Sequence, residues 1–463
     1  MNDVEEAYMR FAKAVLARIT AWQADGKINH YKEPGVAFGE NGFRVVEKTL
    51  PNYSLVLGTF YCKNELYDPI PEADECARIH LDKGLIPKPE LSSADGKPIA
   101  APTFEQLKSY LISELSFPLM EVLETAGISG ATDSWILDTY RRYLEHWAGL
   151  LPSYELLFPL HGIECSCVDL PIKIDNELRL QKFSTEEQGK YWRLQLLSLF
   201  DFSAFEKSNL ALAALPNNLN TDRKEIEKKV RLFITALRLT DAGDVGAPMI
   251  MHRPLRRAMW GGGAGKMPET SARVHGVIFK LDQNDKLGKA IALYNQLLTL
   301  EQNNRLRQLE TAIRRFNQSY SRDLFEDRII DLTIVLEATL LHGIDDELKY
   351  RLAMHGAKLM SETDVPEETF SFLKALYDLR SKIVHEGYGA AQIANEKQSS
   401  AVKKVFDQIG GFNGANKTES YVRSVLVLLI QKLASSPGLS LKCIVENLDI
   451  EILGAIGKST KDK

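Results

Sequence analysis

The period of the hydrophobic positions changes several times along the chain and predicts its secondary structure. Residues 1–22 place apolar side chains at helical spacing between charged ones, which predicts an amphipathic surface helix. Turn residues then separate short runs rich in β-branched and aromatic residues, such as 43–46 and 53–61, which predict strands. Two helices, around 104–115 and 135–147, are expected to close this first unit.

The rest of the chain changes from a mixed pattern to a helical one. Strand signals return at 152–174, a helical apolar stripe follows at 222–237, and 272–281 alternates like another strand. From about Lys289 the pattern is almost entirely helical, with few prolines. We therefore expect an α+β fold with three domains: a mixed α/β domain at 1–150, a mixed β/α domain at 151–302 and an all-helical domain at 303–463.

Composition narrows the classes of function that the chain could have. Its 463 residues carry 57 basic and 62 acidic side chains, so contact with nucleic acid is expected to be local rather than over the whole surface. Five sparse cysteines favour a reducing cytoplasm over a disulfide framework. The start of the chain lacks the pattern of a signal peptide, and no apolar run is long enough to predict a membrane span.

A glycine-rich basic segment follows the predicted middle strands. The sequence GGGAGK at 261–266 departs from a phosphate-binding loop, because Trp260 and Met267 occupy the positions where that motif needs a glycine and a serine or threonine. We expect a mobile basic loop, with contact to RNA phosphates as the alternative. The candidate RNA-binding residues are Arg253, Arg256, Arg257 and Lys266.

His161, Cys165 and Cys167 are the best candidates for metal ligands. Their spacing lacks the second ligand pair that structural zinc sites usually have. Two thiols two residues apart on a strand are explained equally well as small buried apolar groups. We therefore expect neither a metal site nor a cofactor.

The most informative segment is the predicted helix at 369–387, which carries Arg380 and His385 in its last turns. Five helical residues separate two side chains by about 140°, so one helix does not point both at one atom. They could converge across a cleft or across the two-fold axis of a dimer. A fixed cation and a titratable imidazole suit the cleavage of RNA. Alternatively, Arg380 pairs with a carboxylate such as Glu337 and His385 is favoured by the helix C-terminus.

The sequence R-S-K-I-V-H at Arg380 to His385 resembles the R-x-x-x-x-H signature of HEPN domains, and 376–385 resembles their ApeA-like branch in particular. The similarity covers about 327–455, although His355 stands where the family pattern would place an arginine. Three segments resemble core helices of the family: 327–337, 350–359 and the stretch from Ser420 onwards.

This resemblance implies a bundle of four to five helices that dimerises, so that two motifs build one composite site. It implies a metal-independent endoribonuclease of the toxin, abortive-infection or antiphage-defence type. Arg380, His385 and Ser381 would be catalytic, with Glu337 holding Arg380 and Lys382 steering the substrate. The implied partners are RNA such as tRNA, a second copy of the chain, and an antitoxin or a phage-derived trigger.

A second hypothesis belongs to a different class of function. The same domain could be a non-catalytic HEPN module that binds RNA, a nucleotide or a protein partner, with the motif residues acting structurally. His355 and the acidic overall charge favour this alternative, whereas the intact motif at the end of an amphipathic helix favours the nuclease.

Overall fold

The structure is a computed structural model. The residues that it describes are 1–28, 30–39, 42–51, 53, 57, 70–86, 103–148, 154–165, 170–183, 210–215, 223–254, 264–267, 270–271, 273, 277–281 and 284–459. These residues are mostly helical and include one six-stranded antiparallel sheet. The fold is therefore α+β, as the sequence predicts.

The first part of the chain is a group of helices with a separate hairpin. The helices are α1 (Asp3–Ala24), α2 (Pro71–Asp82), α3 (Phe104–Gly130) and α4 (Asp133–Trp147). Asn2 starts α1 with a capping box, because its side chain accepts hydrogen bonds from the backbone of Val4 and Glu5 while the Glu5 carboxylate accepts one from the Asn2 backbone. The predicted helices at 1–22, 104–115 and 135–147 are confirmed.

The hairpin tests the strand predictions for this region. Strands β1 (His30–Gly39) and β2 (Gly42–Pro51) pair antiparallel, and the predicted strand at 43–46 lies within β2. Tyr53 and Leu57 are helical, so the predicted strand at 53–61 is wrong at these two positions. The other residues of that predicted strand lie outside the described part of the chain.

The middle of the chain supplies the six-stranded sheet, in the order β5-β6-β7-β3-β8-β9. Side chains of β3 alternate across it: Leu156 and Phe158 join the main core, whereas Leu157 packs in a small cluster on the other face. A separate parallel pair joins β4 to β10. The strands are β3 (Tyr154–Leu160), β4 (Ile163–Glu164), β5 (Ile172–Lys173), β6 (Leu178–Lys182), β7 (Leu210–Ala214), β8 (Met249–Pro254), β9 (Ala264–Lys266) and β10 (Phe279–Lys280).

The remaining helices pack against the sheet and against one another. They are α5 (Arg223–Thr240), α6 (Asn284–Gln302), α7 (Glu310–Ser319), α8 (Phe325–Leu340), α9 (Leu348–Leu359), α10 (Pro366–Glu386), α11 (Ala390–Ala394), α12 (Ala401–Gln408), α13 (Gly414–Ser435) and α14 (Leu441–Ser459). Short 3₁₀ helices lie at Leu306–Leu309 and Gly411–Asn413. None of the described helices carries an apolar window long enough to cross a membrane.

Two large apolar clusters organise the described residues. One runs from Val4 to Trp147 within the first group of helices. The other begins at Leu156 in the sheet and ends at Ile444 in α14, so sheet and helices share it. The apolar core is therefore divided near residue 150, but it is shared by residues on both sides of residue 302. The division into three domains stays a prediction.

A buried arginine ties the end of α5 to α7. The Arg238 guanidinium is fully buried and donates hydrogen bonds to the carbonyls of Val245 (2.9 Å) and Ser271 (2.8 Å) and to the side chain of Asn317 (2.8 Å). It also lies over the Tyr320 ring, 4.5 Å from its centroid. Burial lowers the pKa of Arg238 to about 10, which still leaves the group charged at neutral pH.

Candidate functional site

The helix α10 positions the R-x-x-x-x-H residues and is built as the sequence predicts. Pro366 occupies its first turn, where a missing N–H costs nothing, and Gly387 ends it with φ of 72° in the left-handed region. The Gly387 N–H bonds the Ile383 carbonyl at 3.2 Å. Arg380 and His385 therefore lie in the last two turns of the helix. The buried face of α10 consists of Thr369, Phe372, Leu373, Ala375, Leu376, Leu379 and Ile383.

Arg380 meets Glu337 of α8 across the bundle. Their Nη2 and Oε2 atoms are 3.9 Å apart, and the two side chains are 24% and 25% exposed. Burial raises the pKa of the Glu337 carboxyl, although the Arg380 cation acts in the opposite direction. The Nε atom of Arg380 is buried without a hydrogen-bond partner among the described residues. The contact is therefore a loose ion pair that leaves Arg380 donors unused.

His385 lies in the final turn of α10, and its side chain is exposed. Within the described part of the chain, it has neither a hydrogen-bond nor an ion-pair partner. The preceding residue, Val384, is 45% exposed. One end of α10 therefore presents an imidazole beside an apolar side chain to the solvent.

The two other predicted site residues on α10 are half-buried and differ in their contacts. Lys382 donates a hydrogen bond to Glu386 at 3.2 Å along the helix surface. Ser381 has no hydrogen bond to any described side chain or backbone group. The structure thus joins Arg380 to Glu337 but joins neither Ser381 nor His385 to that pair.

His355, the departure from the family pattern, is buried in the bundle. Its Nδ1 lies 2.8 Å from the Leu340 carbonyl and its Nε2 lies 2.8 Å from Asp449 Oδ1. It therefore links α9 to the end of α8 and to α14. A buried imidazole with two partners stabilises the bundle and adds no charge to an open surface.

Of the four predicted RNA-binding residues in the basic segment, the structure describes two, Arg253 and Lys266. Arg253 lies in β8 opposite Glu155, and Lys266 lies in β9 opposite Met249. Arg256 and Arg257 fall in 255–263, outside the described residues. The expected mobile loop is thus an edge strand at 264–266, because its backbone pairs with β8. The role of the four basic residues in binding RNA stays a prediction.

The candidate metal ligands are only partly described. His161 is buried, and its pKa is lowered to about 4 by burial and by the nearby Arg238 cation. Cys165 is half-buried, and Cys167 lies outside the described residues. In the described ranges, no three His, Cys, Asp or Glu side chains form a group that could hold a metal ion.

Sequence reasoning missed a second site, a basic groove between α5 and the segment that leads through α7. Its cavity has a volume of about 730 Å³ and includes Arg231, Arg307 and Arg314 among its lining residues. The sequence does contain cations at helical spacing on each of the two segments that form this groove. Their meeting depends on tertiary packing, which the spacing within each segment does not reveal.

Comparison of the chain with protein-family models, with curated proteins and with solved structures gave no match. The similarity of 327–455 to HEPN domains therefore rests on the sequence motif and on the three segments that resemble core helices of the family, and it stays a prediction.

Proposed function

We propose that this chain is a metal-independent endoribonuclease of the HEPN type, in which two copies of α10 form one composite site. One observation carries the proposal: Arg380 is held loosely against Glu337, while His385 is exposed and unpaired in the last turn of the same helix. Their separation of about 140° around the axis keeps them from one shared target within a single chain. A second copy across a two-fold axis supplies the missing partner.

The proposed reaction needs an acid, a base and a fixed positive charge. One His385 imidazole removes the proton of a ribose 2′-hydroxyl, and the 2′-oxygen attacks the adjacent phosphorus. The bond from phosphorus to the 5′-oxygen breaks, and the second His385 of the dimer gives a proton to that leaving oxygen. The products are a 2′,3′-cyclic phosphate and a free 5′-hydroxyl. Arg380 donors stabilise the negative charge that develops on the phosphate oxygens.

The other predicted residues act through position and charge. Glu337 is a positioning residue, because it contacts Arg380 and would lie away from the substrate. Ser381 carries a hydroxyl without a described partner, which is free to bond a phosphate oxygen or the facing motif. Lys382 can turn towards RNA at little cost, since its ion pair with Glu386 is a surface pair within one helix.

The test is cleavage of total tRNA by the purified full-length chain, compared with Arg380→Ala, His385→Ala and a matched control, His342→Ala. His342 is also an exposed histidine near a helix C-terminus in the same bundle. We expect each motif variant to lose about 10²- to 10⁴-fold in rate while the control and EDTA treatment leave cleavage unchanged. Equal cleavage by all four proteins would contradict the site. Binding of tRNA without cleavage would instead favour the non-catalytic module.

The proposed biological role is that of a cytoplasmic toxin or antiphage effector, whose first 300 residues restrain the nuclease or sense a trigger. For the middle of the chain, the core that the sheet shares with the C-terminal helices supports such a role, because a shift of the sheet would disturb the packing of those helices. We expect expression of the unmodified chain to arrest bacterial growth and His385→Ala to relieve the arrest. Arrest by both forms would assign the toxicity to another part of the chain.

A further inference from the structure

The basic groove has two walls built from helical stripes. From α5 come Lys228, Arg231 and Thr235, which lie three and four residues apart and therefore share one face. The opposite wall includes Arg307, which lies just before α7, and Arg314, which lies within α7. These two residues are seven positions apart. The described lining residues are Lys228, Arg231, Leu232, Thr235, Thr270, Glu301, Asn304, Leu306, Arg307, Glu310, Ile313, Arg314, Asn317, Gln318, Ser321 and Arg322.

The described lining of the groove includes three apolar side chains, which are called the apolar floor below. They are Leu232 and Leu306, each 7% exposed, and Ile313. Asn317 connects the walls, because its Nδ2 donates to Thr235 Oγ1 at 2.9 Å while its Oδ1 accepts from Arg238. The cavity is therefore formed before any ligand arrives, which reduces the entropy cost of binding.

The groove has more positive than negative charge. Among its described lining residues are five cations and two carboxylates, and the Lys228–Glu301 ion pair neutralises one of each. Arg322 and the neighbouring Arg315 share a single buried carboxylate, Asp331, at 2.9 and 2.8 Å. The local excess of positive charge therefore extends beyond the surface of the groove.

Two cations of the groove are available to a ligand. Arg307 and Arg314 are exposed, and neither forms an ion pair with a described carboxylate. Glu310 lies between them in sequence but comes within ion-pair distance of neither. The Oε1 atom of Gln318 is buried without a hydrogen-bond partner among the described residues. The groove thus offers two guanidinium groups for an anion and one amide for a hydrogen-bond donor.

We propose that this groove is a binding site for a nucleotide. The phosphates are bound by Arg307 and Arg314, whose planar guanidinium groups suit phosphate oxygens. The base lies on the apolar floor, where the Gln318 amide accepts a hydrogen bond from an exocyclic amino group. The cavity volume falls within the range of about 300–1,000 Å³ that is usual for small-molecule sites. The site goes beyond the proposed nuclease, because α10 contributes no residue to it.

A single nucleotide fits these features better than an RNA strand does. Proteins that bind a strand use a charged groove that follows the backbone, with aromatic side chains on which successive bases stack. The described lining of this groove contains no aromatic residue, and its two cations without a described ion-pair partner match one short phosphate chain. The apolar floor consists of three side chains, which suits one base rather than a row of bases.

The test is isothermal titration of the full-length His385→Ala chain with ATP, GTP, adenosine and tripolyphosphate. The His385→Ala background lacks the proposed cleavage, so the outcome does not depend on the nuclease. We expect a purine nucleotide to bind more tightly than adenosine or tripolyphosphate, because it uses both the cations and the floor. Adding Arg314→Glu is expected to weaken nucleotide binding by about tenfold or more, since it replaces a charge-assisted hydrogen bond by repulsion.

The matched control is Lys404→Glu, which reverses an exposed, unpaired cation on α12, an element that does not line the groove. It is expected to leave the affinity within about twofold, because salt screens distant surface charges. Circular dichroism of both variants checks that each is folded. The proposal is overturned if neither nucleotide binds, if Arg314→Glu binds equally well, or if tripolyphosphate binds as tightly as ATP. Binding of single-stranded RNA without binding of either nucleotide would also overturn it in favour of an RNA groove.

Discussion

At the scale of single residues, two opposing influences act on the pKa of the Glu337 carboxyl. Burial raises it and the Arg380 cation lowers it, and burial has the larger effect, so the pKa is raised. A carboxyl group with a raised pKa binds its proton more tightly in the folded chain. Its contribution to stability is fully present below the unfolded pKa and is lost as the pH rises through the folded pKa. We therefore expect Glu337→Gln to be more stable than the unmodified chain at pH 7, with a smaller difference near pH 4.

Urea unfolding at the two pH values measures this effect. If Glu337→Gln were less stable at pH 7, the attraction of Arg380 would outweigh the burial of the carboxylate. The same variant separates stability from function, because it keeps the shape of Glu337 while it removes the charge that holds Arg380. Under the proposed mechanism, its cleavage rate falls although its fold is no weaker.

Glu419 of α13 is a buried carboxylate that is surrounded by hydrogen-bond donors. The carboxylate accepts hydrogen bonds from Arg328 (2.8 Å), Arg423 (2.6 Å) and the Tyr320 hydroxyl (2.9 Å), and it is 6% exposed. Glu419→Gln leaves two arginines without their counter-charge. We expect a loss of about 3–5 kcal/mol in the free energy of unfolding.

The control is Glu446→Gln, which removes an exposed pair with Lys442 at 3.8 Å. It is expected to change stability by less than about 0.5 kcal/mol, because water and salt already screen that pair. Denaturant unfolding of both variants tests the contrast. Equal effects would mean that the Glu419 network is not closed to solvent.

Side-chain contacts could be predicted from the sequence only where the two partners follow a family pattern or lie on one helix. The pairing of Arg380 with Glu337 could be expected, because both the nuclease hypothesis and the structural alternative include it. The contacts of His355 could not, because Leu340 and Asp449 lie 15 and 94 residues away in sequence. Such contacts are set by the packing of three helices rather than by local pattern.

At the scale of elements, two glycines make a matched pair for testing packing. A Cβ atom on Gly243 would lie 2.5 Å from the Phe279 Cβ and 2.9 Å from its Cα, so the backbone of β10 would have to move. A Cβ on Gly288, which is exposed in α6, would meet nothing within 4 Å. We expect Gly243→Ala to destabilise the fold by about 1–3 kcal/mol or more.

Gly288→Ala is expected to stabilise the fold by about 0.5–1 kcal/mol, because it removes backbone freedom from a helix interior. Thermal unfolding of both variants measures whether each substitution raises or lowers the stability of the fold. A stabilising Gly243→Ala would mean that β10 does not pack closely against the turn after α5.

Long elements with a strong period were predicted well, whereas short ones were predicted unevenly. The helix of Arg380 and His385 was placed correctly because an apolar stripe and a terminal glycine define it. The apolar run at 53–61 was misassigned at Tyr53 and Leu57, because a short apolar run fits a buried helix as well as a strand. The β9 strand at 264–266 has little side-chain pattern, and only pairing with β8 makes it a strand.

At the scale of the whole molecule, one apolar core joins the middle of the chain to its C-terminal helices, while the first group of helices has a core of its own. The sheet, α5 and the C-terminal helices share one apolar cluster, and Arg238 bonds across their junction. Sequence alone suggested a boundary near residue 302 because the pattern changes there. A change of pattern marks where an element type ends, but it does not show whether the side chains on either side pack together.

The proposed composite site requires a dimer, in which the end of α10 would lie at the contact between the two copies. Val384, 45% exposed beside His385, would be buried between two copies, whereas Val365, 53% exposed just before the start of the same helix, would stay in solvent. We expect light scattering to give about twice the 52.1 kDa chain mass for the unmodified protein, for Val365→Asp and for His385→Ala. Val384→Asp places a charge in the contact and is expected to give monomers without cleavage activity. Active monomers would contradict the composite site, because one chain keeps Arg380 and His385 about 140° apart on the helix.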